Sequence, residues 1–290
     1  HDDPSDKALL DWRIRVPSAM SVIANGTPTG THEHEDATTT HTFTFDDPIP
    51  TYLMVLHAGT YEHHVDESGS IPVHTWAQPE LFDQAVEDFH NTGDIIDHFS
   101  GLWIPYPWTH YANVTAPFSG AMEHTTATTF GIDLVGSDIA EAVNAHEIAH
   151  HWFGNLATPQ EWPEIWLNEG FASYAEVLWT EHAYGEAAAI DYLAAQRDSY
   201  FAWQELEARS TLYDPLFMWG GLVYDKGSLV VHMLRTVVGD DAFFAAMRDY
   251  LTAHAHANVS TADLQLAVET THGDSLDWFF EQWVYQAGDP

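Results

Sequence analysis

The chain of 290 residues contains no cysteine, only eight basic residues, and no apolar run long enough to cross a bilayer. Without cysteine there is neither a disulfide nor a thiolate ligand, so a transition metal here would rest on histidine and carboxylate. The eight bases, with Lys7 and Lys226 the only lysines, face 44 acids and give a formal net charge of −36. Such a surface repels phosphate backbones and anionic lipid, which excludes nucleic acid and membrane as partners. The opening segment His1–Leu10 is acidic and polar, unlike the apolar core of an intact signal peptide. What the chain does have is a core: it is 45% hydrophobic, with 12 Trp, 12 Tyr and 15 Phe, which argues against disorder despite the charge. The length suits one large domain, or one with a small companion.

Hydrophobic periodicity changes along the chain. Residues 1–75 read as β: Trp12–Val16 and His41–Phe45 alternate, Asn25-Gly26 marks a turn, and Tyr52–Leu56 and Ile71–Trp76 are apolar strand candidates. The Thr- and His-rich stretch Thr27–His41 reads as a polar loop and an exposed strand face. Its His32 and His34, with His63 and His64, sit among turn residues and read as solvated surface rather than metal ligands. From Pro79 a helical period appears, interrupted by Ile104-Pro-Tyr-Pro-Trp108 and by short apolar pieces at Tyr111–Val114 and Ala127–Ile132. Helical patterns follow near Asp138–Phe153, Pro163–His182, Glu186–Glu207, Leu222–Val238, Asp240–His254, Thr261–Thr271 and Ser275–Tyr285. The expectation is an α+β chain, with a small β piece over 1–75 and a largely helical body over 76–290.

His146-Glu147-Ile148-Ala149-His150 is an H-E-x-x-H pattern inside one of these helical stretches. Residues four apart stack on one helix face, so both imidazoles can share a metal. Glu147 is turned about 100° away, placed to reach a water on the metal without ligating it. Glu169 lies in the next helical pattern, beyond a short loop holding Pro159 and Pro163. Short connections make antiparallel neighbours, which brings the Glu169 carboxylate back beside the imidazoles. Two His and one Glu with an open fourth position is a catalytic zinc arrangement, so one Zn2+ per chain is expected. Glu176, seven residues after Glu169, lies on the same helical face and could orient a ligand histidine. His151, Trp152, Phe153, Trp162 and Trp166 read as packing residues.

The segment His146–Asn155 together with Trp166–Glu176 closely resembles the gluzincin aminopeptidases of the aminopeptidase N and leukotriene hydrolase family. Gly120-Ala121-Met122-Glu123 is similar to that family's exopeptidase motif, which implies that Glu123 binds the free α-amine of a peptide. The motif usually continues with Asn, whereas this chain has His124. Val223-Tyr-Asp-Lys-Gly227 resembles the segment whose tyrosine stabilises the tetrahedral intermediate, which implies that role for Tyr224. Trp12–Glu62 resemble the last part of the family's N-terminal β domain, and Phe279–Trp283 with Gly288-Asp-Pro290 the close of its thermolysin-like catalytic domain. The resemblance implies a zinc aminopeptidase acting on peptides with a free N-terminus. In that reading His146, His150 and Glu169 hold the metal and Glu147 is the general base. A less selective zinc peptidase with an open groove and an inactive peptide-binding domain are the alternatives. Retention of both Glu147 and Tyr224 weighs toward an enzyme.

The acidity, with Asp more frequent than Glu, fits adaptation to high salt. The Debye length falls from about 10 Å at 0.1 M to about 3 Å at 1 M, so molar salt screens most of the self-repulsion. The melting temperature is expected to rise in KCl between about 0.1 M and about 1–2 M on that screening argument. A flat or falling series would contradict salt adaptation.

Overall fold

The computed structural model describes residues 2–207 and 210–289 of the chain. The alternating N-terminal region forms β1 (Lys7–Pro17), β2 (Ser21–Ala24), β3 (Thr27–Glu33), β4 (Thr38–Pro50), β5 (Leu56–Gly59), β6 (Glu62–Asp66) and β7 (Val73–Ala77). β4 runs antiparallel between β1 and β3, with Trp12 opposite Phe43. The period of two turns Phe43 and Phe45 inward, and β3 stays exposed along its whole length. β2 pairs antiparallel with β5. The expected strand over Tyr52–Leu56 is corrected: Thr51–Leu53 forms a 3-10 turn with Leu53 buried, and the strand begins at Leu56. Pro50, the last residue of β4, supplies no N–H to extend the ladder, and the apolar run continues as a turn.

The middle of the chain adds α1 (Phe82–Asp88), α2 (Thr92–Leu102), β8 (Tyr111–Ala116), β9 (Ala121–Met122), β10 (Thr128–Gly131) and α3 (Ala140–Ala149). These strands join β6 and β7 in a five-stranded sheet of order β6-β7-β8-β10-β9. Its centre is parallel, β7 with β8 and β8 with β10, and both edges are antiparallel. Strands buried on both faces read as short apolar runs rather than alternations, as Tyr111–Val114 does. One core cluster joins Ile23 and Val55 to Ala112, Val114 and Ala127. A second packs Ala85 and Phe89 of the α1 region against Phe130 and Leu134.

The remaining described residues are mainly helical and include the short parallel pair β11 (Thr158–Pro159) and β12 (Asn258–Val259). It contains α4 (Trp166–Tyr184), α5 (Glu186–Glu207), α6 (Gly227–Val238), α7 (Asp240–Ala253), α8 (Thr261–His272) and α9 (Asp277–Phe280). Two π-helical turns, Leu222–Lys226 and Glu281–Tyr285, precede α6 and follow α9. α8 opens with a capping box in which the Ser260 hydroxyl and the Asp263 carboxylate each take the other's backbone N–H. The chain forms two compact units, one of residues up to Asp97 with Tyr106–Glu147, the other of His98–Pro105 with residues from Ile148 onward. Among the described residues no helix is long and apolar enough to cross a membrane.

Inside the first unit, Thr129 on β10 bridges two imidazoles, its hydroxyl lying 3.0 Å from His57 Nε2 and 2.8 Å from His124 Nδ1. Burial pushes His57 down to about 4 and His124 down to about 3, where the neighbouring His57 also contributes. Both rings therefore stay neutral in the folded chain while the unfolded chain protonates them near pH 6.5. The unfolded state then binds more protons, so stability is lost as pH falls from about 6.5 toward about 4. The urea midpoint of His57→Gln is expected to drop less between pH 7 and pH 5 than that of the parent chain. An equal drop would show that His57 does not carry this linkage.

Candidate metal centre

α3 places His146 and Glu147 on its last turns, and His150 follows directly on its end. The chain then folds back tightly, with Asn155 N–H donating to His150 O at 2.9 Å and Leu156 N–H to His151 O at 3.2 Å. Gly154 makes this possible with φ of +131°, and a Cβ there would stand 3.0 Å from Asn168 Nδ2. Asn168 and Glu169 sit in the first turn of α4, whose start is pinned to α8. Glu164 accepts from Thr261 N–H at 3.1 Å and from its hydroxyl at 2.5 Å, and Trp166 Nε1 donates to the same hydroxyl at 2.9 Å. Burial raises the pKa of Glu164, while its bonds from Thr261 act in the opposite direction.

The result brings His146, His150 and Glu169 together, each buried, with one ligand atom from each lying within 4.8 Å of the others. His150 Nε2 is 3.3 Å from Glu169 Oε2, and His150 Nδ1 is 3.1 Å from Phe153 O. A backbone carbonyl only accepts, so Nδ1 carries a proton there, and Nε2 is the ring nitrogen that faces the carboxylate. The bond from Nδ1 to the Phe153 carbonyl orients the ring so that Nε2 is the nitrogen available to a metal, as metal-ligating histidines require. The donor set of two imidazoles and one carboxylate fits zinc. Among the described residues this is the one cluster of three such donors. His32, His63 and His64 are exposed and His34 half-buried, away from any such group.

Glu147 is only 6% exposed. Its charge joins burial in holding the Tyr111 phenol well above its ordinary pKa, which places the carboxylate near β8. Glu176 accepts a short hydrogen bond from the Tyr192 hydroxyl, tying α4 to α5. His151, Trp152, Phe153 and Trp166 are buried, as expected of packing residues, whereas Trp162 is half-buried and lines a cavity of about 530 Å³ with Trp219.

In the first unit, Gly120, Ala121 and Met122 form β9 and its approach, with Met122 opposite Thr129 and Ala121 opposite Phe130. Glu123 follows, 7% exposed, in a loop closed by His124 N–H to Met122 O at 2.8 Å and Ala127 N–H to His124 O at 3.0 Å. The N-terminal β region holds this loop. Asn25, fully buried, donates to Thr125 O at 2.7 Å and Leu53 O at 3.0 Å and accepts from Val55 N–H at 2.6 Å. Gly26 N–H adds a bond to the Thr126 hydroxyl at 3.0 Å.

In the second unit, Tyr224 is half-buried in the π-helical turn that leads into α6. Gly227, the first residue of α6, meets Gly170 of α4 so closely that a Cβ on Gly227 would stand 2.8 Å from Gly170 Cα. Gln196 of α5 bridges the same junction, donating to Ser173 O at 3.1 Å and accepting from the Ser228 hydroxyl at 2.8 Å. The tying roles of Asn25 and Gln196 escape a sequence reading. Their only signal is a polar side chain amid residues that must be buried, and their partners lie far away along the chain.

Comparison with known proteins places these features. The model of the peptidase family M1 domain matches residues 88–283, and the chain belongs to that family. It is 31% identical to an aminopeptidase N of Streptomyces lividans over 99% of its own length and 36% of the relative's. It is 28% identical to a leucyl aminopeptidase of Saccharolobus solfataricus over 100% of its length and 39% of the relative's. An M1 zinc metallopeptidase of Deinococcus radiodurans superposes with a TM-score of 0.85 at 29% identity, covering 99% of this chain and 65% of that one. A variant of the same metallopeptidase bound to a Tyr-Ser-Ala substrate superposes with a TM-score of 0.84. The chain thus spans little more than a third of the curated relatives' length and about two thirds of the solved structures.

Proposed function

We propose that the chain carries the catalytic centre of a zinc aminopeptidase that removes N-terminal residues from peptides. The observation that carries this reading is the buried His146–His150–Glu169 cluster in a chain of the M1 peptidase family. Residues 76–290 act as the thermolysin-like catalytic domain and 1–75 as the β piece that supports it. His146, His150 and Glu169 hold one Zn2+, which when bound supplies Lewis acidity to a scissile carbonyl and to the attacking water.

The chain's own groups do the rest. Glu147 takes the proton of the attacking water and passes it to the leaving amine, a task that suits a carboxylate shielded from solvent. Tyr224 donates a hydrogen bond to the developing oxyanion. Glu123 receives the substrate's α-ammonium through a charge-assisted hydrogen bond worth about 1.5–3 kcal/mol, with Gly120, Ala121 and Met122 lining the approach. Binding of a tripeptide by the Deinococcus radiodurans neighbour supports a peptide substrate.

Turnover of one peptide with a free and with an acetylated N-terminus tests the reading. Glu147→Gln is expected to lose at least about a hundredfold in kcat while keeping its zinc. Glu123→Ala is expected to lose far more on the free peptide than on the acetylated one. Near-parent turnover by Glu147→Gln would remove it from the mechanism. Equal losses on both peptides would favour a peptidase with an open groove.

A further inference from the structure

Tyr224 stands in a π-helical turn, Leu222–Lys226, and such turns occur mostly as single insertions at functional sites. A π-turn is rare and interrupts the regular helix, so the contacts that hold it from outside bear on where Tyr224 stands. Three grips converge here. From α5, the Ser199 hydroxyl donates to Asp225 Oδ2 at 2.7 Å. At the α6 end, Gly227 abuts Gly170, the neighbour of Glu169, with no room for a Cβ on either.

The third grip is Lys226, one of only two lysines in the chain. Its side chain is 2% exposed. The ammonium donates to Gly288 O at 2.7 Å, lies 3.6 Å from Asp289 Oδ1, and sits 5.7 Å from the centre of the Tyr200 ring. The Tyr200 hydroxyl in turn donates to Asp289 Oδ1 at 3.0 Å, so α5, the π-turn and the 288–289 segment form one knot. Burying an ammonium is costly, and burial alone lowers the pKa of Lys226 while Asp289 raises it. A buried methionine would fill the same volume without that cost. The charge is used to hold two partners 62 and 63 residues away along the chain.

We propose that Lys226 is a positioning residue for Tyr224, locking the π-turn against Gly288, Asp289 and Tyr200 so that the phenol is held in one place relative to Glu169. This rests on the reading of Tyr224 as the oxyanion donor. A displacement of about 1 Å at a catalytic group can cost up to about a hundredfold in rate, so a two-residue lever of this kind acts on turnover rather than on substrate binding.

The test is a double-mutant cycle on the zinc-loaded chain with a free-amino peptide substrate, reading kcat, KM, zinc content and melting temperature. Lys226→Met is expected to lower kcat about tenfold with KM and zinc content unchanged. In a Tyr224→Phe background the same change is expected to cost less than about twofold, because its effect passes through the phenol. Asp289→Asn and Tyr200→Phe are expected to lower kcat in the same sense by about threefold. These milder variants decide the matter if Lys226→Met does not fold. If Tyr224→Phe alone leaves the rate unchanged, the reading of Tyr224 falls and the proposal with it. If Tyr224→Phe is severely impaired but the Lys226 or Asp289 losses are fully additive to it, or fall on KM or melting temperature alone, the positioning role is overturned and Lys226 is a structural tie only.

Discussion

A carboxylate buried beside two imidazoles is the constraint on which this structure depends. Glu169 is 4% exposed, and its oxygen lies 3.3 Å from Nε2 of His150, whose other ring nitrogen is bonded to the Phe153 carbonyl. Taking a charge out of water is costly unless hydrogen bonds or an opposite charge meet it. In a chain with 44 acids and eight bases, basic side chains are scarce, and a divalent cation meets the requirement most economically in residues. The tight turn at Gly154, the pinning of α4 by Thr261 and the glycine contact between α4 and α6 all serve to bring that carboxylate to the end of α3.

Each compact unit holds one of its candidate side chains on a short, fastened segment. In the first, Glu123 lies on a loop whose backbone is fastened by Asn25 from the N-terminal β region. The second presents Tyr224 on a turn fastened by Lys226 and Asp225. In both, a short segment carrying one chemical group is held by polar side chains that reach across from other elements. Segments held this way are fastened by polar, hydrogen-bonded supports rather than by apolar packing alone.

The ligand set was legible in the chain because it is written in local periodicity. His146 and His150 are one turn apart, and Glu169 follows through a short loop that forces an antiparallel return. The helical stretches were legible for the same reason, with α5 matching its expected span Glu186–Glu207. Tyr52–Leu56 was misread because an apolar run of five carries no period, and Pro50 before it supplies no N–H to extend the ladder. Leu222–Val238 hid a π-turn at its start, since one inserted residue barely changes hydrophobic spacing. The long-range ties of Asn25 and Lys226 were not legible because their partners, Thr125 and Gly288, lie 100 and 62 residues away.

The central claim is that one zinc ion is held jointly by the end of α3 and the start of α4. Anomalous diffraction above and below the zinc absorption edge, on crystals of the chain grown without added metal, tests it most directly. The account predicts a single strong peak at bonding distance, about 2.0–2.2 Å, from a nitrogen of His146, a nitrogen of His150 and a carboxylate oxygen of Glu169. A zinc peak held by other residues, or zinc-free crystals of fully active protein, would contradict it.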